Sequence, residues 1–197
     1  MEHIFINDSE LWSLLKEGDE EAYSQLFRRY YPSLVSYGKT LIRNESLVKD
    51  CVQEVFIEVW IYRQKLVDPL SVKAYLLSSV RKRIARRIER DHIFRNADEL
   101  NEDLGGISFT ILEEIIADEE SKNQVASINK HLNNLPKRQK EALYLRFHQG
   151  LDIDQIAGLM DINLQSASNL LHRGIKLLRL ACVTDLSSLI FLIGLIY

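Results

Sequence analysis

The chain has 197 residues, 46% of them hydrophobic, and a formal net charge of −3 from 25 basic and 28 acidic side chains. Eight Gly and three Pro are too few for a turn-rich β chain or a low-complexity one, and two distant cysteines, Cys51 and Cys182, exclude a secreted disulfide scaffold and point to a reducing compartment. The mildly acidic total argues against a nucleic-acid partner, but it hides a segregated pattern.

A short helix is predicted over Glu10–Lys16, behind Ser9 and ending at Gly18. Asp19 then caps a long helix whose apolar residues, from Ala22, Tyr23 and Leu26 through Leu34, Tyr37 and Leu41, recur every three or four positions, with a kink or break expected at Pro32. After Asn44-Glu45-Ser46, the residues Leu47, Val48, Cys51, Val52, Val55, Phe56, Val59 and Trp60 make a broad stripe that must face a core. Within it Cys51 serves as a small buried hydrophobe. The opposite face carries Asp50, Gln53, Glu54, Ile57 and Ile61, a mixture of acid, amide and isoleucine that suits a partner surface as well as solvent.

Asp68-Pro69 breaks the pattern, and Ser71 caps a helix running to about Asp91. Its apolar positions are Leu76, Leu77, Val80, Ile84 and Ile88, and its other face is Lys82, Arg83, Arg86, Arg87 and Arg90. Such a helix suits a polyanion, either nucleic acid or acidic lipid. Tyr75 near its start has two readings, a base-stacking ring or, more commonly, a core tyrosine.

Charge is blocked along the chain. Arg81 to Arg95 holds seven basic residues, Asp98 to Glu120 holds nine acidic ones and no Lys or Arg, and from Pro136 to Arg179 basic residues exceed acidic ones seven to four. This predicts two basic modules around an acidic connector, with a linker from His92 to Thr110 containing Gly105-Gly106. Helix resumes from Ile111 to Asn134, and Leu135-Pro136 opens another, with Pro136 at its first position, carrying Leu143, Leu145 and Phe147 and ending at Gly150.

Asp152 with Gln155 forms an acidic capping box for a short helix, Ile153 to Met160, with Ala157 at its tight packing point. Asp161-Ile162-Asn163 is a turn, and Asn163 caps a longer helix holding the apolar residues Ala167, Leu170, Leu171, Ile175, Leu178 and Leu180. That helix exposes Gln165, Ser166, Ser168, Asn169, His172, Arg173 and Lys176. This is the layout of a helix-turn-helix, whose second helix enters the major groove; a plain helical bundle patterns similarly. Gln and Asn pair with adenine, while Arg and Lys hold phosphate or guanine.

Three motifs then stand in order. Asp50-Cys51-Val52-Gln53-Glu54-Val55-Phe56-Ile57-Glu58-Val59-Trp60 is followed by Leu135-Pro136-Lys137-Arg138-Gln139-Lys140-Glu141-Ala142, and by Ile156-Ala157 through Leu171-His172-Arg173-Gly174. On these the chain resembles, from Asp19 to Arg179, the RNA polymerase sigma factors of the extracytoplasmic-function group. The resemblance implies an all-α protein of two small helical domains: region 2 over 1–92, an acidic linker over 93–117, region 4 over 118–182 with the helix-turn-helix, and an apolar tail over 183–197. It implies a subunit that binds core RNA polymerase through the β′ clamp helices and the β flap and directs initiation at promoter DNA. The core-binding residues implied are Asp50, Gln53, Glu54 and Ile57. Those implied for the −10 element are Ser71, Lys73, Tyr75, Lys82, Arg83, Arg86, Arg87 and Arg90, and the helix from Gln165 to Lys176 is implied to read the −35 element. An anti-sigma partner and a cytoplasmic location are implied too, with no catalysis, cofactor, metal or small-molecule substrate.

This sequence departs from the family at Ser168-Asn169-Leu170, where Lys-Ser-Arg is frequent, and at Gly174, where Ala is common and Gly costs about 1 kcal/mol of helix propensity. The tail from Leu186 to Tyr197 is strongly apolar but too short to span a bilayer, so an integral membrane protein is not expected. Packing on the region 4 core is its preferred role, ahead of a regulator or a membrane surface. No basic segment followed by an apolar stretch opens the chain, so no signal peptide is expected. The five histidines show no zinc-ligand spacing, and there is no phosphate-cradling glycine loop or nucleophile–base set. A helix-turn-helix regulator acting without polymerase is the alternative; it leaves the face of Asp50, Gln53 and Glu54 unexplained.

Overall fold

The computed structural model describes residues 7–94 and 129–182, which contain helices and turns and no strand. The chain divides into two compact units. The first is built from α1 (Asp8–Glu17), α2 (Glu20–Leu41), α3 (Glu45–Ile61), a 3₁₀ turn (Arg63–Lys65) and α4 (Val72–Phe94). The second has a helical turn at 129–133 followed by α5 (Lys137–Leu143), a π-helical turn (Tyr144–His148), α6 (Ile153–Met160) and α7 (Leu164–Cys182). The acidic connector beyond Phe94, most of the helix expected from Ile111, and the apolar tail lie outside the described residues.

In the first unit α2 packs against α1, α3 and α4. Leu11, Trp12, Leu15, Leu26, Leu34, Tyr37, Val48, Val52, Phe56, Leu76, Leu77, Val80 and Ile84 are all nearly inaccessible and form its core. Cys51 is buried among the α3 stripe, as a small hydrophobe would be. Gly38 lets α2 and α3 meet closely, since a Cβ there would stand 2.5 Å from Val48 Cγ1.

Helix ends follow local chemistry, with three corrections. The first helix begins at Asp8, with Asn7 rather than Ser9 as its cap. Asn7 Oδ1 accepts from the Glu10 amide at 2.9 Å and Glu10 Oε2 accepts from the Asn7 amide at 3.3 Å, a reciprocal box that Ser9, three residues before Trp12, cannot make. The long helix runs unbroken through Pro32, which lies on its exposed side. The basic helix continues past Asp91 to Phe94. Asp19 and Ser71 cap α2 and α4 as expected, and Asn44 caps α3, its Oδ1 accepting from the Leu47 amide.

In the second unit α5 packs on α7. Ala142, Leu143, Leu145, Ile156, Ala157, Ala167 and Leu171 are buried. Pro136 sits in the cap position of α5 rather than at its first helical residue. The backbone after Leu143 widens into a π turn, which moves Phe147 off the apolar stripe and leaves it 43% exposed. Leu151 N donates to Leu145 O at 3.0 Å and Arg146 Nη1 to Leu151 O at 3.0 Å, closing this turn ahead of α6, with Gly150 at φ +69°.

Candidate nucleic-acid interface

The second unit holds a helix-turn-helix built by side-chain caps at both of its helix starts. Asp152 Oδ1 accepts from the Gln155 amide at 2.8 Å and Gln155 Oε1 from the Asp152 amide at 3.1 Å. The intervening turn has Asp161 in the left-handed region at φ 54°, with the Ile162 amide donating to Ala157 O. Asn163 Oδ1 then accepts from the Ser166 amide at 2.7 Å and starts α7.

On α7 the buried residues Ala167, Leu171, Gly174 and Leu178 form one stripe. By helical periodicity the face diametrically opposite carries Gln165, Asn169, His172, Arg173 and Lys176, and all five are exposed. Gln165 Nε2 donates to Asn169 Oδ1 at 3.2 Å, so the two amides steady one another. Ser166 and Ser168 lie on the flanks, both partly buried. Gly174 is where Leu143 of α5 comes close: a Cβ would meet Leu143 Cδ1 at 3.0 Å. Lys140, in the Leu-Pro motif that opens α5, is buried; its Nζ donates to Asn133 O at 2.8 Å, and burial pulls its pKa down.

The first unit presents two further faces. On α3 the residues opposite the buried stripe are Asp50, Gln53, Glu54, Ile57 and Ile61, with Ile57 53% and Ile61 59% exposed. Two isoleucines half in water beside a carboxylate and an amide make an apolar centre with a polar rim.

The cations of α4 do not form one face. Lys82, Arg86 and Arg90 recur every four residues and are exposed, whereas Arg83 turns toward α3. There Arg83 pairs with Glu54 at 3.4 Å and with Glu58, and the Glu58 carboxylate holds the guanidinium pKa above its ordinary value. Arg87, also exposed, follows Arg83 one turn on along that same edge. The expectation of a uniform cationic stripe is therefore corrected for Arg83, which is tied to the acidic face.

Two other residues expected at the DNA are committed inside the unit. Tyr75 packs edge-on against Trp12 with ring centroids 5.2 Å apart, and the Ser71 hydroxyl accepts from the Ala74 amide at 3.2 Å. Lys73 is partly buried, which lowers its pKa. Sequence reasoning missed Glu58, a partner of Arg83. It also missed Val67 and Leu70, which stand almost wholly in solvent in the loop between α3 and α4. Apolar residues flanking Asp68-Pro69, outside every helical stripe, were the signal for that pair.

Comparison with known proteins agrees with this architecture. Residues 26–92 match the family model "Sigma-70 region 2", and residues 127–178 match "Sigma-70, region 4". The chain belongs to the sigma-70 family. With regions 2 and 4 separated by only residues 93–126, it is a sigma factor of the extracytoplasmic-function type, which binds core RNA polymerase and directs initiation at promoter DNA. No curated protein sequence matches the chain. Among solved structures it is similar in fold to CnrH in complex with the cytosolic domain of CnrY (19% identity, TM-score 0.56, 90% of this chain and 98% of that one). It is also similar to the sigma factor RpoE in complex with the anti-sigma factor NepR from Bartonella quintana (18% identity, TM-score 0.60, 83% and 98%). Among the described residues of this sigma factor no group of His, Cys, Asp and Glu is placed to hold a metal ion, and no helix is long and apolar enough to cross a membrane.

Proposed function

We propose that this sigma factor divides its work among three surfaces. The α3 face of Asp50, Gln53, Glu54, Ile57 and Ile61 docks on the β′ clamp helices, with Arg83 bracing Glu54 from behind. Lys82, Arg86, Arg87 and Arg90 of α4 hold phosphate near the −10 element, and the loop before Ser71 contacts the element itself. The outward face of α7 reads the −35 element, with Gln165 and Asn169 at base edges and Arg173 and Lys176 at phosphate. The observation that carries this reading is the placement of five polar or cationic side chains on the side of α7 opposite its buried stripe.

The domain limits follow the same division, with 1–92 for region 2, 93–117 for the linker, 118–182 for region 4 and 183–197 for the tail. No chemistry is assigned to the protein; its binding energy selects where polymerase starts. Region 4 also meets the β flap, and an anti-sigma protein holds the factor inactive, a reading supported by the anti-sigma complex in which a protein of similar fold is found. These partners place its work in the cytoplasm.

The test is competition for purified core polymerase followed by run-off transcription. Asp50→Lys combined with Ile57→Ser should remove most competition for core while leaving the helical content intact. Unchanged competition would detach the α3 face from this role.

A further inference from the structure

The loop joining α3 to α4 is the most exposed apolar feature of the first unit, with Leu70 and Val67 almost wholly in water. A loop of this kind, left alone, samples many conformations, and any contact it makes must first absorb that entropy. Yet it is tied to α1, a helix that precedes the region 2 match at residues 26–92, and the 3₁₀ turn that leads into it packs on the same helix. Lys16 Nζ pairs with Asp68 Oδ1 at 2.6 Å, in the middle of the loop. At the loop's start, Arg63 lies against Gly18, its Nε 3.6 Å from where a Cβ would stand. Arg63 is itself fixed, donating to Trp60 O at 2.8 Å and lying over the Trp60 ring at 4.5 Å.

The α1 end that makes these contacts is rigid for local reasons. Gly18 closes the helix in the left-handed conformation at φ +99°, with its amide donating to Leu15 O at 3.0 Å. Leu11, Trp12 and Leu15 anchor the helix in the core. Lys16 therefore projects from a fixed point: it is 26% exposed, while Asp68, in the loop, is 71% exposed. An exposed ion pair adds little to global stability. Its effect here is to choose one loop conformation among several, which is a matter of specificity.

We infer that α1 is a strut, with Lys16 and Asp68 as positioning residues that preset the Val67–Leu70 loop for −10 recognition without touching DNA. The inference rests on the reading above that this loop meets the −10 element, and its test separates the two. Full-length protein with core polymerase is assayed on two promoter libraries, one randomised at −10 and one at −35, alongside competition for core. Lys16→Ala and Asp68→Ala should each reduce discrimination among −10 sequences about two- to fivefold, the range open to one exposed ion pair. The double variant should lose no more than the larger single loss, because each acts through the other. Lys16→Arg should keep wild-type discrimination, and the −35 preference and core competition should stay unchanged throughout.

Single variants with wild-type −10 discrimination, in an assay where Leu70→Ser alters it, would overturn the strut and leave the loop reading standing. Single losses that multiply in the double variant, or −35 preference and core competition falling along with −10 discrimination, would overturn it too. If Leu70→Ser and Val67→Ser both leave −10 preference untouched, the loop reading itself fails.

Discussion

The two cation-bearing helices, α4 and α7, illustrate how differently a charged stripe can be used. On α7 the buried stripe and the polar face stand opposite each other, and the described neighbours leave Gln165, Asn169, His172, Arg173 and Lys176 exposed. On α4 a second helix lies alongside, and α3 offers Glu54 and Glu58 to whichever cation turns its way. Arg83 is taken by that offer; Lys82, Arg86 and Arg90 stay exposed. Periodicity decides which residues leave the core, but the neighbouring helix decides which of those remain available.

The sharpest way to break this comparison is through the two glycines at the helix contacts. Gly38→Val drives a side chain into Val48, and overpacking of this kind costs about 1–3 kcal/mol or more. Gly174→Ala meets Leu143 Cδ1 at 3.0 Å, a tight contact with the end of a side chain that can shift, and a helix-propensity gain of about 1 kcal/mol offsets the crowding, so its net effect should stay within about 1 kcal/mol of zero. Both tryptophans, Trp12 and Trp60, belong to the first unit, so urea unfolding followed by fluorescence isolates Gly38→Val, while circular dichroism reports on Gly174→Ala. A wild-type midpoint for Gly38→Val would mean that α2 and α3 do not meet this closely.

These glycines also mark what could be read from the chain beforehand. Capping by Asp19, Ser71, Asp152 and Asn163 was legible, because a cap and its target amide lie within three residues. Exposure of the α7 and α3 faces was legible for the same reason, since each helix buries a single stripe. Gly174 read as a propensity cost, whereas its role is to admit Leu143, a residue 31 positions earlier. The π turn that exposes Phe147, the partnering of Arg83 by Glu58 and the edge contact of Tyr75 with Trp12 depend on tertiary neighbours, which spacing along one helix does not encode. Asn7 was legible in principle, but choosing it over Ser9 required weighing Glu10 as the reciprocal partner.

The next effect lies on α7. Asn169→Ala removes a candidate base contact and releases Gln165 from its 3.2 Å hydrogen bond. Promoter selection from a −35 library should shift by about 1–3 kcal/mol at one or two adjacent positions, with the salt dependence of open-complex formation unchanged. Arg173→Ala should do the reverse, weakening all promoters alike and flattening the salt dependence. If Asn169→Ala lowers every promoter equally, the amide serves α7 as a structural residue only.

The smallest effect separates the two kinds of cation on α4. Arg86 is exposed on the outward edge, so Arg86→Gln should release one phosphate contact and reduce the log–log salt slope of promoter binding by roughly 0.9. Arg83→Gln should leave that slope where it was, because its guanidinium already faces Glu54 and Glu58. Its effect should fall instead on competition for core, since two α3 carboxylates lose the charge that holds them in place. Combining Arg83→Gln with Glu58→Gln should restore part of that competition, because removing one carboxylate relieves the repulsion left behind. Equal slopes for the two single variants would make Arg83 a phosphate contact after all, and its ion pairs with α3 would then have to open whenever DNA binds.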